Sequence, residues 1–281
     1  MKTIILAFLV TLSLALSAQD FTFNKETGKA VPSFVGELKL LKGTVMRTTG
    51  GRPRVVQVGE KFYKNDVVVT EKDSSMKILI ADDTWLSLGP ETELIFTGFE
   101  FKDKNSRKIT YELKRGQISA NVREKIKEGE VRFRSKFSSM GVRGTKIMMN
   151  YREVKGLGIA EYALAEGLAE VTDQDGKTHA IEAGERIILI QDQKSLTGSQ
   201  VKLELTKEEL ENFMSPEAEE DKGIRPFMPY YEPKAETVSK AEATTGAAKV
   251  QTDSETQGEG SFQNLKKLNE QLEDNQKKRR R

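Results

Sequence analysis

One arginine stands between two glycines, in Gly141-Val142-Arg143-Gly144-Thr145. A guanidinium held on a glycine-flanked turn is suited to gripping a carboxylate or phosphate through two parallel hydrogen bonds. The same residue can also act structurally, bonding carbonyls or pairing with an acid such as Glu166. Asp82 and Asp83 are adjacent carboxylates, but no further ligands follow at calcium-loop spacing, and their place between two apolar runs marks a turn. Trp85, the single tryptophan, lies in an apolar run. There it either packs in a core or offers a stacking surface to a sugar. The single histidine, His179, follows Asp175-Gly176-Lys177-Thr178 and is expected to be exposed. Tyr230 and Tyr231 sit among prolines in GIRPFMPYYEP, a segment that either lies back on its own domain or enters a partner's groove. The chain ends in Lys277-Lys278-Arg279-Arg280-Arg281, five cations that attract a polyanion.

Composition narrows the chemistry. The chain has no cysteine, which excludes disulfides, thiolate metal sites and Cys nucleophiles. One histidine is too few for His-based zinc or triad chemistry. Ser138-Ser139 has no histidine nearby in sequence, and no Gly-rich phosphate loop or Gly-x-Ser-x-Gly occurs. No catalytic residue, metal or cofactor is therefore expected. The 45 Lys and Arg nearly balance the 43 Asp and Glu, so nucleic acid is not expected as a partner.

The positioning elements are strands. Between residues 34 and 205 short apolar runs recur, among them VVVT (67–70), MKILI (76–80), WLSL (85–88), ITYEL (109–113) and LAEVT (168–172). Gly, Asp, Asn and Pro bound them, as in an all-β domain. In 131–134 apolar and charged residues alternate strictly, which buries one face and wets the other. Asp82-Asp83, Asp175-Gly176 and Gly50-Gly51 supply turns. Before this body, residues 19–33 read as an extended lead-in with a short edge strand around Phe21 and Phe23. After it, Thr206-Lys207-Glu208-Glu209 is a capping box opening a short helix to about Met214. The Pro-rich aromatic segment carries the chain to residue 233. Residues 234–260 read as a disordered linker. Phe262, Leu265, Leu268 and Leu272 then give an amphipathic helix within 261–281, which needs a partner to persist.

Lys2, the apolar run Ile4 to Leu16 and the small residues Ser17 and Ala18 have the layout of a secretory signal peptide, residues 1–18. Cleavage follows Ala18 or, alternatively, Ser17. The run is shorter than the roughly 20 residues a membrane span needs. An exported protein without a span in its mature chain is expected, in the periplasm, associated with an outer membrane or secreted.

From Gly43 to Glu185 the body resembles the FecR domain family. Gly43-Thr44-Val45 is expected on an early strand. Val58-Gly59-Glu60 leads into Val67-Val68-Val69-Thr70, and Asp73 to Leu94 follows with Trp85-Leu86-Ser87-Leu88-Gly89-Pro90 at its centre. Leu113 to Ile118, the Gly-Val-Arg-Gly-Thr segment, Ala165 to Val171 and Ala183-Gly184-Glu185 complete the order. The resemblance implies an all-β fold, rolled or solenoid-like, and an extracytoplasmic location. Well-known members regulate sigma factors through a cytoplasmic segment joined by one span to a periplasmic domain. This sequence shows neither the segment nor the span, so the anti-sigma role is not carried over. The expected function is a non-enzymatic exported module that binds or scaffolds an envelope protein or envelope glycan, with a second contact to an anionic surface through the basic C-terminus. The alternatives are a signalling component acting on a membrane-bound regulator and a carbohydrate-binding module.

Overall fold

The computed structural model describes residues 20–25, 28–123, 126–154, 156–192, 198–214, 227, 229 and 230. The expected signal peptide, linker and C-terminal helix, together with Tyr231 and Lys277 to Arg281, lie outside the described residues.

The chain folds as a rolled all-β structure, with one short helix among the described residues. The lead-in is a hairpin, β1 (Phe21–Asn24) with β2 (Lys29–Pro32). There follow β3 (Gly36–Lys42), β4 (Val45–Thr49), β5 (Arg52–Val55), β6 (Lys61–Phe62), β7 (Val67–Thr70), β8 (Ser75–Ile80) and β9 (Trp85–Leu88). The middle is β10 (Glu93–Asp103), β11 (Ser106–Asn121), β12 (Glu128–Arg134), β13 (Ser139–Val142) and β14 (Lys146–Val154). The last strands are β15 (Leu157–Glu166), β16 (Leu168–Thr172), β17 (Thr178–Glu182), β18 (Glu185–Asp192) and β19 (Gly198–Glu204), and α1 (Lys207–Met214) closes the series.

Apart from the first hairpin, the strands form one 17-stranded sheet that folds over on itself. One layer runs β6-β3-β8-β9-β11-β14-β15-β18-β19. The other runs β5-β4-β7-β10-β11-β12-β13-β16-β17. β11 belongs to both. Its first part pairs with β10 and, in parallel, with β12, while from Gly116 onward it pairs with β9 and β14. Gly116 makes the change of layer at φ +95°, and Thr92 is packed where a side chain would stand. ITYEL and the run after Gly116, two runs in the sequence, are thus one strand. Gly43 and Thr44 are a bend between β3 and β4 rather than strand residues, because that connection also passes from one layer to the other.

The core lies between the layers. Period-two alternation turns Leu38, Phe62, Ile78, Leu86, Ile118 and Met149 inward from one side, and Val68, Phe96, Tyr111 and Phe133 from the other. Phe62, Phe96, Tyr111 and Phe133 form a continuous aromatic chain with ring centroids 5.0 to 6.0 Å apart. The edges are blunted: β6 has two residues, and β5 reads Arg-Pro-Arg-Val and is exposed throughout.

β14 and β15 break the alternation, being buried on both faces. Their outer face carries a separate cluster of Met148, Ala163 and Ala165, against which Leu205 and Leu210 pack. The helix is held there by its capping box. Glu209 N–H donates to Thr206 Oγ1 at 3.2 Å, and Thr206 N–H donates to Glu209 Oε2 at 2.8 Å. Glu209 also reaches Arg186 on β18, at 3.3 Å.

Candidate functional site

The Gly-Val-Arg-Gly-Thr segment ends β13 and turns into β14. Gly144 holds φ +105° where the chain passes from β13 in one layer to β14 in the other. Val142 is buried, while Arg143, next in line, points to solvent. Among the described residues Arg143 has no ion-pair partner. The acid suggested by the sequence, Glu166, is taken by Lys146 at 3.0 Å. Register explains this, because Lys146 is the direct cross-strand partner of Glu166.

Arg143 lines a groove of about 530 Å³ between β12, β13 and β16. Glu130 and Arg132 form an ion pair on one wall. Glu170, Thr172 and Leu168 form the other wall, and Leu168 is 61% exposed, a large apolar side chain offered to solvent. On the far side of the turn lies a second hollow of about 450 Å³, lined by Asn121, Arg123, Thr145, Lys146 and Glu166. Arg143, with Arg132 already paired to Glu130 and Leu168 at the rim, suits a partner that presents an anionic group beside an apolar one.

The other sequence candidates lie elsewhere. Trp85 begins β9 on the outer face of the opposite layer, half-buried, with the Lys77 ammonium 4.8 Å above its ring. That cation occupies one face of the indole. Tyr230 lies back on the β body, its ring 4.9 Å from the Arg152 guanidinium on β14. Burial raises its hydroxyl pKa; the Arg152 charge opposes this, and Glu161 and Glu91 add to it. Phe227 also returns to the body, its ring against the backbone of Gly89. The structure therefore does not bring Arg143, Trp85 and Tyr230 together, but it does place Trp85 and Tyr230 on one sheet face.

Three groups differ from their sequence reading or extend it. His179 is not exposed: its side chain is 9% accessible and its Nε2 lies 2.9 Å from Asp173 Oδ2, because that carboxylate organises the hairpin it belongs to. Asp83 sits on the turn with φ +64°, as expected. Asp82 both makes that turn and is fully buried, accepting from Thr84 N–H at 3.0 Å and from Arg107 Nε at 2.6 Å. Ser138 is tied into a buried hydroxyl cluster, 2.7 Å from Ser135 and 2.8 Å from Tyr162. Burial pushes the Tyr162 hydroxyl up to about 12, against the pull of those two serines.

Residues 66–170 match the model of the family described as FecR protein. Over this stretch the chain is similar to FecR domains. The match begins at Asp66 and ends at Glu170, so it includes Trp85, Gly116 and Arg143. The FecR-like residues Gly43 to Glu60 and Ala183 to Glu185 fall outside it. Two crystal structures described as candidate anti-sigma factors from Parabacteroides distasonis ATCC 8503 are similar to the chain. One is 15% identical with a TM-score of 0.42, covering 53% of this chain and 64% of that one, just under two thirds of its length. The other is 13% identical with a TM-score of 0.41, covering 67% of this chain and 95% of that one. No curated protein matches the chain. Among the described residues no helix is long and apolar enough to cross a membrane.

Sequence reasoning missed Gln117, Asn150 and Glu161, polar residues buried on the outer face of β11, β14 and β15. The available signal was a polar residue interrupting an apolar strand, as in KIMMNY and GIAEYALA.

Proposed function

We propose that this protein is a non-enzymatic recognition module of an envelope signalling system, exported from the cytoplasm, which binds a partner protein through the groove at Arg143. The observation that carries this reading is the exposed Arg143 guanidinium inside the FecR-matching segment, without an ion-pair partner among the described residues and beside the apolar Leu168. The apolar N-terminal run from Ile4 to Leu16 supports export. A carboxylate or phosphate on the partner would take two hydrogen bonds from Arg143, and Leu168 would cover the adjacent apolar contact. The basic residues 277–281 would add a weaker contact to an anionic surface, raising apparent affinity by linkage. A glycan module is less favoured, because Lys77 already covers one face of the Trp85 indole.

The test uses the mature chain from Gln19, immobilised and exposed to gently solubilised envelope. One membrane or secreted protein should be enriched, lost with Arg143→Glu and weakened with Leu168→Glu. Recovery of the same protein by both variants, with native circular dichroism, overturns the assignment of the groove. Retention of polysaccharide with quenching of Trp85 fluorescence moves the function to glycan binding.

A further inference from the structure

A row of outward-facing residues crosses the layer that bears α1. Gly89 N–H donates to Gln117 O at 2.9 Å, Gln117 pairs with Asn150, and Asn150 pairs with Glu161. These residues stand two positions from Ser119, Met148 and Ala163 on their strands, hence on the same face. Phe227 rests on Gly89 so closely that a Cβ there would lie 3.1 Å from its Cδ2. Tyr230 rests on Arg152, two residues beyond Asn150 on the same face of β14. From the end of β9 to β14 is two strand spacings, about 10 Å. Three extended residues span about the same distance. Phe227 and Tyr230 thus lie across the strands, not along one of them.

A peptide lying across a sheet cannot join its ladder, so its main-chain groups must be met by side chains. Asn150 is suited to that, since a carboxamide presents one acceptor and a donor pair, as the peptide group does. It is 1% exposed, and neither its Oδ1 nor its Nδ2 has a hydrogen-bond partner. A buried amide with both ends unmet is rare and costly. The chain's own segment fills two aromatic positions and leaves this group unanswered.

We propose that the row Gly89, Gln117, Asn150 is a docking site for an extended peptide of a partner protein, with aromatic residues three apart. Phe227 and Tyr230 occupy it in cis as a replaceable stand-in. Gly89 admits the first aromatic because it has no side chain. Arg152 takes the second aromatic by a cation–π contact, and Asn150 reads the main chain between them. An untethered peptide is free to settle onto Asn150, and it competes with a segment held at high effective concentration. The site lies on the opposite layer from the Arg143 groove and rests on no part of that reading.

The experiment uses the full chain and, as probe, a fluorescein-labelled synthetic peptide of residues 224–233, followed by anisotropy. The Phe227→Ala/Tyr230→Ala chain should bind the probe saturably, at least about tenfold more tightly than the unmodified chain, because the cis competitor is gone. Adding Asn150→Ala to that background should weaken binding about tenfold, and Gly89→Leu should abolish it. A probe with Phe227 and Tyr230 changed to Ala should not bind. Arg143→Glu should leave binding unchanged, which separates this site from the groove. Absence of saturable binding to a double variant with native circular dichroism and urea midpoint overturns the proposal, as does indifference to Asn150→Ala. A concentration-dependent dimer of the unmodified chain that disappears in the double variant assigns the occupant to a second copy and overturns the partner reading.

Discussion

Removing the Asp82 carboxylate should unfold the protein more readily than any surface change. Asp82 and Arg107 have no solvent exposure at their side chains, and Oδ2 lies 2.6 Å from Nε. The pair sits against the aromatic chain, where the charge of Asp82 adds to burial in raising the pKa of the Tyr111 hydroxyl. Asp82→Ala deprives a buried guanidinium of its counter-charge, a loss of about 3–5 kcal/mol. It also removes the acceptor of Thr84 N–H, on the turn that aligns β8 with β9. For a domain of this size each kcal/mol is worth about 2–4 °C, so the melting temperature should fall by roughly 6–20 °C. Urea unfolding followed by circular dichroism gives the free energy directly. Asp82→Leu combined with Arg107→Met should recover most of it, since an apolar pair of similar volume often replaces a buried ion pair without loss. A loss below about 1 kcal/mol for Asp82→Ala, or a double variant as unstable as the single one, would refute the argument that an uncompensated charge is what matters.

Other outcomes follow from the same structure. The Tyr162 hydroxyl titrates at about 12 in the fold because burial opposes its ionisation. The stabilisation is complete below pH 10, the unfolded value, and is withdrawn as the pH rises toward 12. This amounts to roughly 3 kcal/mol, checked by urea melts at pH 9, 10.5 and 12. Gly116→Ala forces a left-handed side chain to within 2.5 Å of Thr92 Cα and should cost about 2–5 kcal/mol, read from the urea midpoint. Arg143→Ala, by contrast, should change stability by less than about 0.5 kcal/mol, because the side chain is exposed and holds no ion pair among the described residues. Gly89→Ala should displace Phe227 by a few tenths of an ångström and weaken its docking, seen as faster proteolysis after residue 214.

Where one face of a strand is wet, the sequence shows it plainly. β12 alternates Val131 and Phe133 with Arg132 and Arg134, and its burial follows suit. WLSL and LAEVT have the bounds of β9 and β16, because Gly, Pro and Asp flank them. The capping box is equally legible, since its two hydrogen bonds need only residues three apart. Covered faces are harder to read. In KIMMNY and GIAEYALA no alternation survives, so the second buried face is hidden, and the one signal left is the polar residue that interrupts each apolar run. β19 is mostly polar and escapes notice, as it is an edge strand. The union of two runs into β11 is invisible for a different reason. Gly116 looks like the end of a strand, but here it bends one between layers. Arg143 was legible as a residue, while the groove around it depends on β16 arriving beside β13, a contact set by long-range pairing.

The sharing of β11 bears on how the protein is made and dismantled. A strand that is central to both layers cannot complete its pairing until β9 and β10 before it and β12 and β14 after it are present. Half of the chain is therefore not a folding unit, and closure must wait for contacts between distant segments, which places folding in the slow, millisecond-to-second regime of non-local β topologies. The same arrangement makes loss of either layer loss of both. A protease that trims this protein without destroying it must act outside the roll, at the lead-in hairpin or beyond α1.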